Sequence, residues 1–121
     1  MGCDTIEIKY RDHRVERLCT DYRQAKKELN VRVADKLYSL LDTLKMGNNL
    51  QEIFDLKMYY LHPLKGNREG EFALDLGRRT GYRLVIVPLD DHGNRWEVFD
   101  LKKVFCSTRI VLVWEVTNHY E

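Results

Sequence analysis

The chain has 121 residues, a formal net charge of +1 and a pI near 7.7. With 44% hydrophobic and 32% charged residues it can bury a core as one domain over residues 1–121. It is no bulk polycation, so any nucleic-acid surface must be local. Cys3, Cys19 and Cys106 are scattered, odd in number and form no Cys-x-x-Cys pair, which argues against a disulfide framework and for a reducing compartment. No apolar run approaches the roughly 18 residues of a membrane span. Residues 1–10 carry Asp4, Glu7 and Lys9 and do not read as a signal peptide.

Residues 5–10 alternate apolar and polar and predict an opening strand with one face on a core. Asp12 is placed to cap a helix from His13 to about Cys19, with Val15 and Leu18 on its buried side. Thr20 or Asp21 caps the next helix, which runs toward Met46. There Ala25, Leu29, Val33, Leu37, Leu40, Leu41 and Leu44 recur at three and four, while Arg23, Lys26, Lys27, Arg32 and Lys36 face outward. Asn30 leaves one long helix or two shorter ones open. Gly47, Asn48 and Asn49 end the stripe, and residues 50–54 add a turn or two.

The pattern then changes. Residues 58–61, 71–76, 82–88 and 109–116 predict strands, the last being the strongest β segment. Gly66 and Gly70 bracket a polar turn, residues 77–81 form a basic turn with Arg78 and Arg79, and residues 90–94 form another. Trp96, Val98 and Phe99 continue the sheet or pack over it, and residues 100–104 make one helical turn. The class is α+β, with helices on one face of a mainly antiparallel sheet.

The candidate chemistry concentrates in residues 61–72, where His62, Lys65 and Arg68 sit among turn glycines between apolar runs. From Lys57 to Arg83 the cations Lys57, Lys65, Arg68, Arg78, Arg79 and Arg83 face only Glu69, Glu71 and Asp75, a local excess of +3. RNA is cut without metal when its 2′-hydroxyl attacks the adjacent phosphate. That reaction needs a proton acceptor, a proton donor and fixed positive charge on the phosphorane. His62 and His119 are the histidines suited to proton transfer, and Lys65, Arg68, Arg78, Arg79 and Arg83 are the candidate cations. Arg83 opens an apolar strand, where a cation is expected to face a site or pair with an acid such as Asp75. Tyr60, Tyr82 and Tyr120 are available for stacking or hydrogen bonding. His13 and His92 read as solvated, and Trp96 and Trp114 as packing residues. The four histidines are scattered without metal-ligand spacing, so no metal is expected. No glycine-rich phosphate loop occurs, so no nucleotide cofactor is expected.

The run Leu61-His62-Pro63-Leu64-Lys65-Gly66-Asn67-Arg68-Glu69-Gly70 resembles the signature of host-inhibition-of-growth (HigB-type) toxins, also called plasmid maintenance killer proteins. Residues 72–76, 81–86 and 113–119 resemble theirs as well. These toxins belong to the RelE/ParE superfamily. The resemblance implies N-terminal helices packed on a twisted, mainly antiparallel sheet. It implies a toxin of the bacterial cytoplasm, partnered by a helix-turn-helix antitoxin, that enters the ribosome and cleaves translated messenger RNA without metal or other cofactor. It assigns catalysis to His62 and Arg83, with Lys65 and Arg68 in the phosphate-facing turn; Arg78 and Arg79 are candidate RNA-phosphate contacts by their hairpin charge alone. The family tail reads Asp-Tyr-His; here Asn118, His119 and Tyr120 stand there. His119 and Tyr120 join the catalytic candidates, with Asn118 supporting, and the assignment of base and acid among His62, His119 and Tyr120 stays open. Two alternatives remain: a toxin that inhibits DNA gyrase, and an inactive module that only binds the antitoxin.

Overall fold

The computed structural model describes residues 5–77, 79–97 and 100–118. Strand β1 (Glu7–Tyr10) leads into helix α1 (His13–Thr20), α2 (Tyr22–Glu28), α3 (Val31–Met46) and α4 (Leu50–Phe54). After a 3₁₀ turn (Lys57–Tyr59) come β2 (His62–Pro63), β3 (Phe72–Asp75), β4 (Tyr82–Leu89), α5 (Leu101–Ser107) and β5 (Ile110–Asn118). The sheet order is β1-β5-β4-β3-β2. All neighbours are antiparallel except β1 and β5, whose parallel pairing is reached through the whole intervening chain.

The helix starts follow from side-chain capping of otherwise unpaired backbone N–H groups. Asp12 accepts from Val15 N, Asp21 from Gln24 N, Asn30 from Val33 N, Asn49 from Glu52 N and Asp100 from Lys103 N. The long apolar stripe is therefore two helices. Asn30 breaks it with φ 119° and ψ 166°, backbone angles nearly confined to glycine, held here while its side chain caps α3. Leu37, Leu40, Leu41 and Leu44 of α3 then meet Leu74, Leu84, Ile86, Val111 and Val113 of the sheet, all nearly or fully buried. Trp96 packs against this core from outside any strand, and its indole N–H donates to the buried Thr108 hydroxyl at 3.0 Å. Val98 and Phe99 lie outside the described residues.

One predicted strand is overturned. Residues 58–61 do not extend: Lys57–Tyr59 form the 3₁₀ turn and Tyr60 is left-handed, with φ 51°. The run has aromatic β formers but no alternation, and Tyr60 turns the chain so that pairing begins only at His62. The predicted turn over residues 100–104 is longer, reaching Ser107 as α5.

Alternation decides what the second face of the sheet carries. Phe72, Leu74, Leu84, Ile86, Val111 and Val113 point to the helices, so their neighbours in sequence point away. Register aligns those neighbours in rows. His62, Ala73, Val85 and Glu115 lie across from one another, and Asp75, Arg83 and Thr117 form the next row.

Candidate functional site

His62 sits at the start of the shortest strand, paired with Ala73 at the sheet edge. Its Nδ1 lies 2.7 Å from the carbonyl oxygen of Tyr60. A carbonyl only accepts, so Nδ1 carries the hydrogen and Nε2 of the neutral ring keeps its lone pair. The Tyr60 ring stacks on the imidazole, with centroids 4.2 Å apart and planes 23° from parallel. The left-handed backbone of Tyr60 makes both contacts possible, because it brings the carbonyl and ring of residue 60 back over residue 62. The imidazole is thus oriented by two groups and half-buried.

A groove of about 690 Å³ lined by Lys36, Lys57, Tyr59, Tyr60 and Asp75 opens on the Tyr60 side of the histidine. A second, of about 730 Å³, begins at Pro63 and is lined by Leu64, Lys65, Phe72, Arg95 and Trp96 among others. His62 lies between Tyr60 and Pro63 in sequence and lines neither groove.

Arg83 is half-buried on the same face, one row along from His62 and two strands inward. At a strand spacing of about 4.8 Å and a rise of about 3.4 Å per residue, their backbones are roughly 12 Å apart, a gap that an arginine and an imidazole can bracket around a phosphate. Asp75 stands opposite Arg83 in register, but Arg83 makes no ion pair with it or with any other described residue. Lys65 is exposed on the rim of the second groove.

Arg68 is arranged differently. Its Nε donates to Glu71 Oε1 at 2.8 Å and its Nη2 to Glu115 Oε2 at 2.7 Å. Nη2 is also 2.7 Å from Glu71 Oε1. The Glu115 bond, followed by that of Glu71, raises the pKa of the guanidinium. Glu71 is buried at 8% exposure, so the cluster pins the turn over residues 64–70 onto the inner strand β5. Sequence reasoning missed Glu115. Glu71 follows Arg68 by three and is visible locally, whereas Glu115 is 47 residues away and only the β5 register brings it in.

Arg79 is exposed in the turn between β3 and β4. Asn118 is exposed at the end of β5 and pairs with Tyr82, the neighbour of Arg83 on β4. Arg78, His119 and Tyr120 lie outside the described residues. Among the described residues no group of three or more His, Cys, Asp or Glu side chains is gathered to hold a metal ion, and no helix is long and apolar enough to cross a membrane.

No family model and no curated protein matches the chain. Among solved structures it is similar to the YoeB-YefM complex from Staphylococcus aureus, with 16% identity and a TM-score of 0.53 over 95% of this chain and 98% of that one. The α+β architecture, N-terminal helices on a twisted, mainly antiparallel sheet, is RelE/ParE-like. At that identity the likeness is one of fold.

Proposed function

We propose that this chain is the toxin of a bacterial type II toxin–antitoxin pair and a ribosome-dependent endoribonuclease acting on translated messenger RNA in the cytoplasm. The observation that carries this reading is His62. Its Nδ1 is committed to the Tyr60 carbonyl, so its Nε2 is free on the face shared with Arg83. The RelE/ParE-like fold supports the toxin class, and the similar structure being a complex supports an antitoxin partner. The finer, host-inhibition-of-growth type rests on the Leu61-His62-Pro63-Leu64-Lys65-Gly66 run.

In the proposed reaction the 2′-oxygen of one nucleotide attacks the adjacent phosphorus and the bond to the 5′-oxygen breaks. A 2′,3′-cyclic phosphate and a 5′-hydroxyl result. One group takes the 2′ proton and another gives a proton to the leaving 5′-oxygen. The fixed tautomer of His62 suits it to accept the first proton at Nε2, with His119 or Tyr120 as candidates for the second role. Arg83 supplies charge to the phosphorane, joined by Lys65. Arg68 spends its charge on two carboxylates and holds the turn that carries Lys65.

Induction of the wild type and of His62→Ala, followed within minutes by mapping of messenger RNA 5′ ends, tests the reading. New cuts inside translated frames that vanish with His62→Ala are expected. Growth arrest without cuts, with inhibited supercoiling, would replace this reading by gyrase poisoning. Neither arrest nor cuts, with intact antitoxin binding, would leave a binding module.

A further inference from the structure

We propose that Trp114 with Arg11 and Arg95 forms a second RNA contact, which holds the ribosomal substrate beyond the cleaved phosphate. The inference rests on the nuclease reading and adds a site to it.

The pairing of β4 with β5 slips between Val85 and Ile86: Val85 faces Glu115 and Ile86 faces Val113, which leaves Trp114 as the extra residue of a bulge. A bulge re-aims the side chain it carries. Two guanidiniums from distant segments converge on that indole. Arg11, just past the end of β1, lies 4.9 Å from the ring centroid, and Arg95, between β4 and α5, lies 5.6 Å from it. Both arginines are exposed and Trp114 is half-buried. Lys9 precedes Arg11 by two and is exposed on the same side of β1, whose alternate residues Ile8 and Tyr10 pack on the core.

Of the acids in this region Glu71, Glu115 and Asp12 are engaged, while Glu69 lines the groove with Lys65 and Arg95. Glu71 and Glu115 hold Arg68. Asp12 caps α1 through Oδ1 and takes the Nε of Arg11 at 3.3 Å through Oδ2, which orients Arg11 and leaves its outer nitrogens unengaged. Arg95 makes no ion pair with a described residue. Like charges drawn to one ring repel unless an anion joins them, and attraction of each to the indole face only partly offsets this.

Chemistry selects the occupant. A guanidinium stacked on an indole presents its other plane to a nucleobase and its edge to phosphate oxygens. The patch is also continuous with the candidate site. The guanidinium of Arg95 passes so close to Gly70 that a Cβ there would stand 3.3 Å from its Nη1. Arg95 and Lys65 line the same groove, which begins at Pro63 beside His62. Arg95 is thus the link between the groove that holds Lys65 and the Trp114 ring, and an RNA strand touching Lys65 can reach Trp114 by way of it.

The test is single-turnover cleavage on programmed 70S ribosomes by the full chain and by Arg11→Gln/Arg95→Gln, titrated at several salt concentrations. The variant should need roughly tenfold more ribosomes for half-saturation, reach a limiting rate within about twofold of the wild type, and lose about 1.4 from the slope of log affinity against log salt. Arg11→Lys/Arg95→Lys should keep the slope but recover only part of the affinity, because an ammonium does not stack as a plane. If the glutamine pair fails to fold, the lysine pair carries the test, and wild-type affinity in it overturns the stacking. Unchanged half-saturation and slope in the glutamine pair overturn the proposal, as does a loss confined to the limiting rate or to antitoxin binding. A wild type that neither binds nor cuts on ribosomes removes the nuclease reading and this inference together, and its own silence distinguishes that failure.

Discussion

The Nη2 of Arg68 lies 2.7 Å from Oε2 of Glu115, a bond that spans 47 residues of sequence and ties an edge turn to the inner strand β5. With Glu71 it forms a partly buried cluster of one cation and two anions. Arg68→Ala leaves the buried Glu71 carboxylate without its partner and should destabilise the fold by roughly 1–3 kcal/mol. Adding Glu71→Gln to that variant should restore part of the loss. Urea unfolding of the three proteins measures both effects. Arg68→Ala with wild-type stability would remove the clamp from the account of the turn.

Tyr60 separates stability from activity. Its left-handed φ of 51° costs about 1 kcal/mol in a residue with a side chain, while glycine adopts it freely but costs up to about 1 kcal/mol in unfolded-chain entropy. Tyr60→Gly should therefore melt close to the wild type. It also loses the ring stacked on His62 at 4.2 Å, so the imidazole is held by the carbonyl alone. Cleavage should fall about tenfold with little change in melting temperature, consistent with the cost of loosened positioning. An unchanged rate would show that the stack does not orient His62.

The break at Asn30 has a measurable cost. Its side chain accepts from Val33 N at 2.9 Å while its backbone holds φ 119°. Asn30→Ala loses the cap and keeps the unfavourable backbone, and should destabilise by about 1–2 kcal/mol. Asn30→Gly loses the cap but relieves the backbone, and should cost less. Equal losses in urea unfolding would mean that the φ is not a source of strain.

Alkaline pH should weaken the fold. Burial pushes the Cys19 thiol from 9.0 up to about 12, and burial likewise pushes the Tyr38 hydroxyl, which donates to the Leu18 carbonyl at 3.0 Å, from 10.0 up to about 12. Both groups are neutral when protonated and both have raised folded values. The stability linked to them is complete below about pH 9 and declines as pH rises toward 12. The urea midpoint should be flat near neutral pH and fall above pH 9. Cys19→Ala and Tyr38→Phe should each make that fall shallower, and an undiminished slope in both would disprove the linkage.

Much of the site's chemistry was legible as residue types. The excess of cations between Lys57 and Arg83 and the lone imidazole of residues 61–72 pointed to this stretch as the candidate site. Arg83 at the head of an apolar strand announced a half-buried cation, and the structure places it opposite Asp75 without an ion pair. What the sequence did not disclose is that Arg68 is clamped by Glu115, or that Arg11 and Arg95 meet at Trp114. The turn before His62 was misread as a strand, because aromatic composition favours extension while the left-handed Tyr60 carries no signature in its residue type.

By itself the sequence determined what depends on neighbours within about four residues. The caps at Asp12 and Asp21, the apolar stripe of α3 and the alternation of β4 and β5 all belong to that class, since helix hydrogen bonds and strand facing are local relations. Tertiary structure alone decided the parallel seating of β1 on β5, the slip that turns Trp114 outward and the rows that set Arg83 near His62. The physical reason is that strand register is a relation between distant segments. It is chosen by closure of the whole hydrogen-bonded sheet over one shared core, and no window of the chain contains both partners.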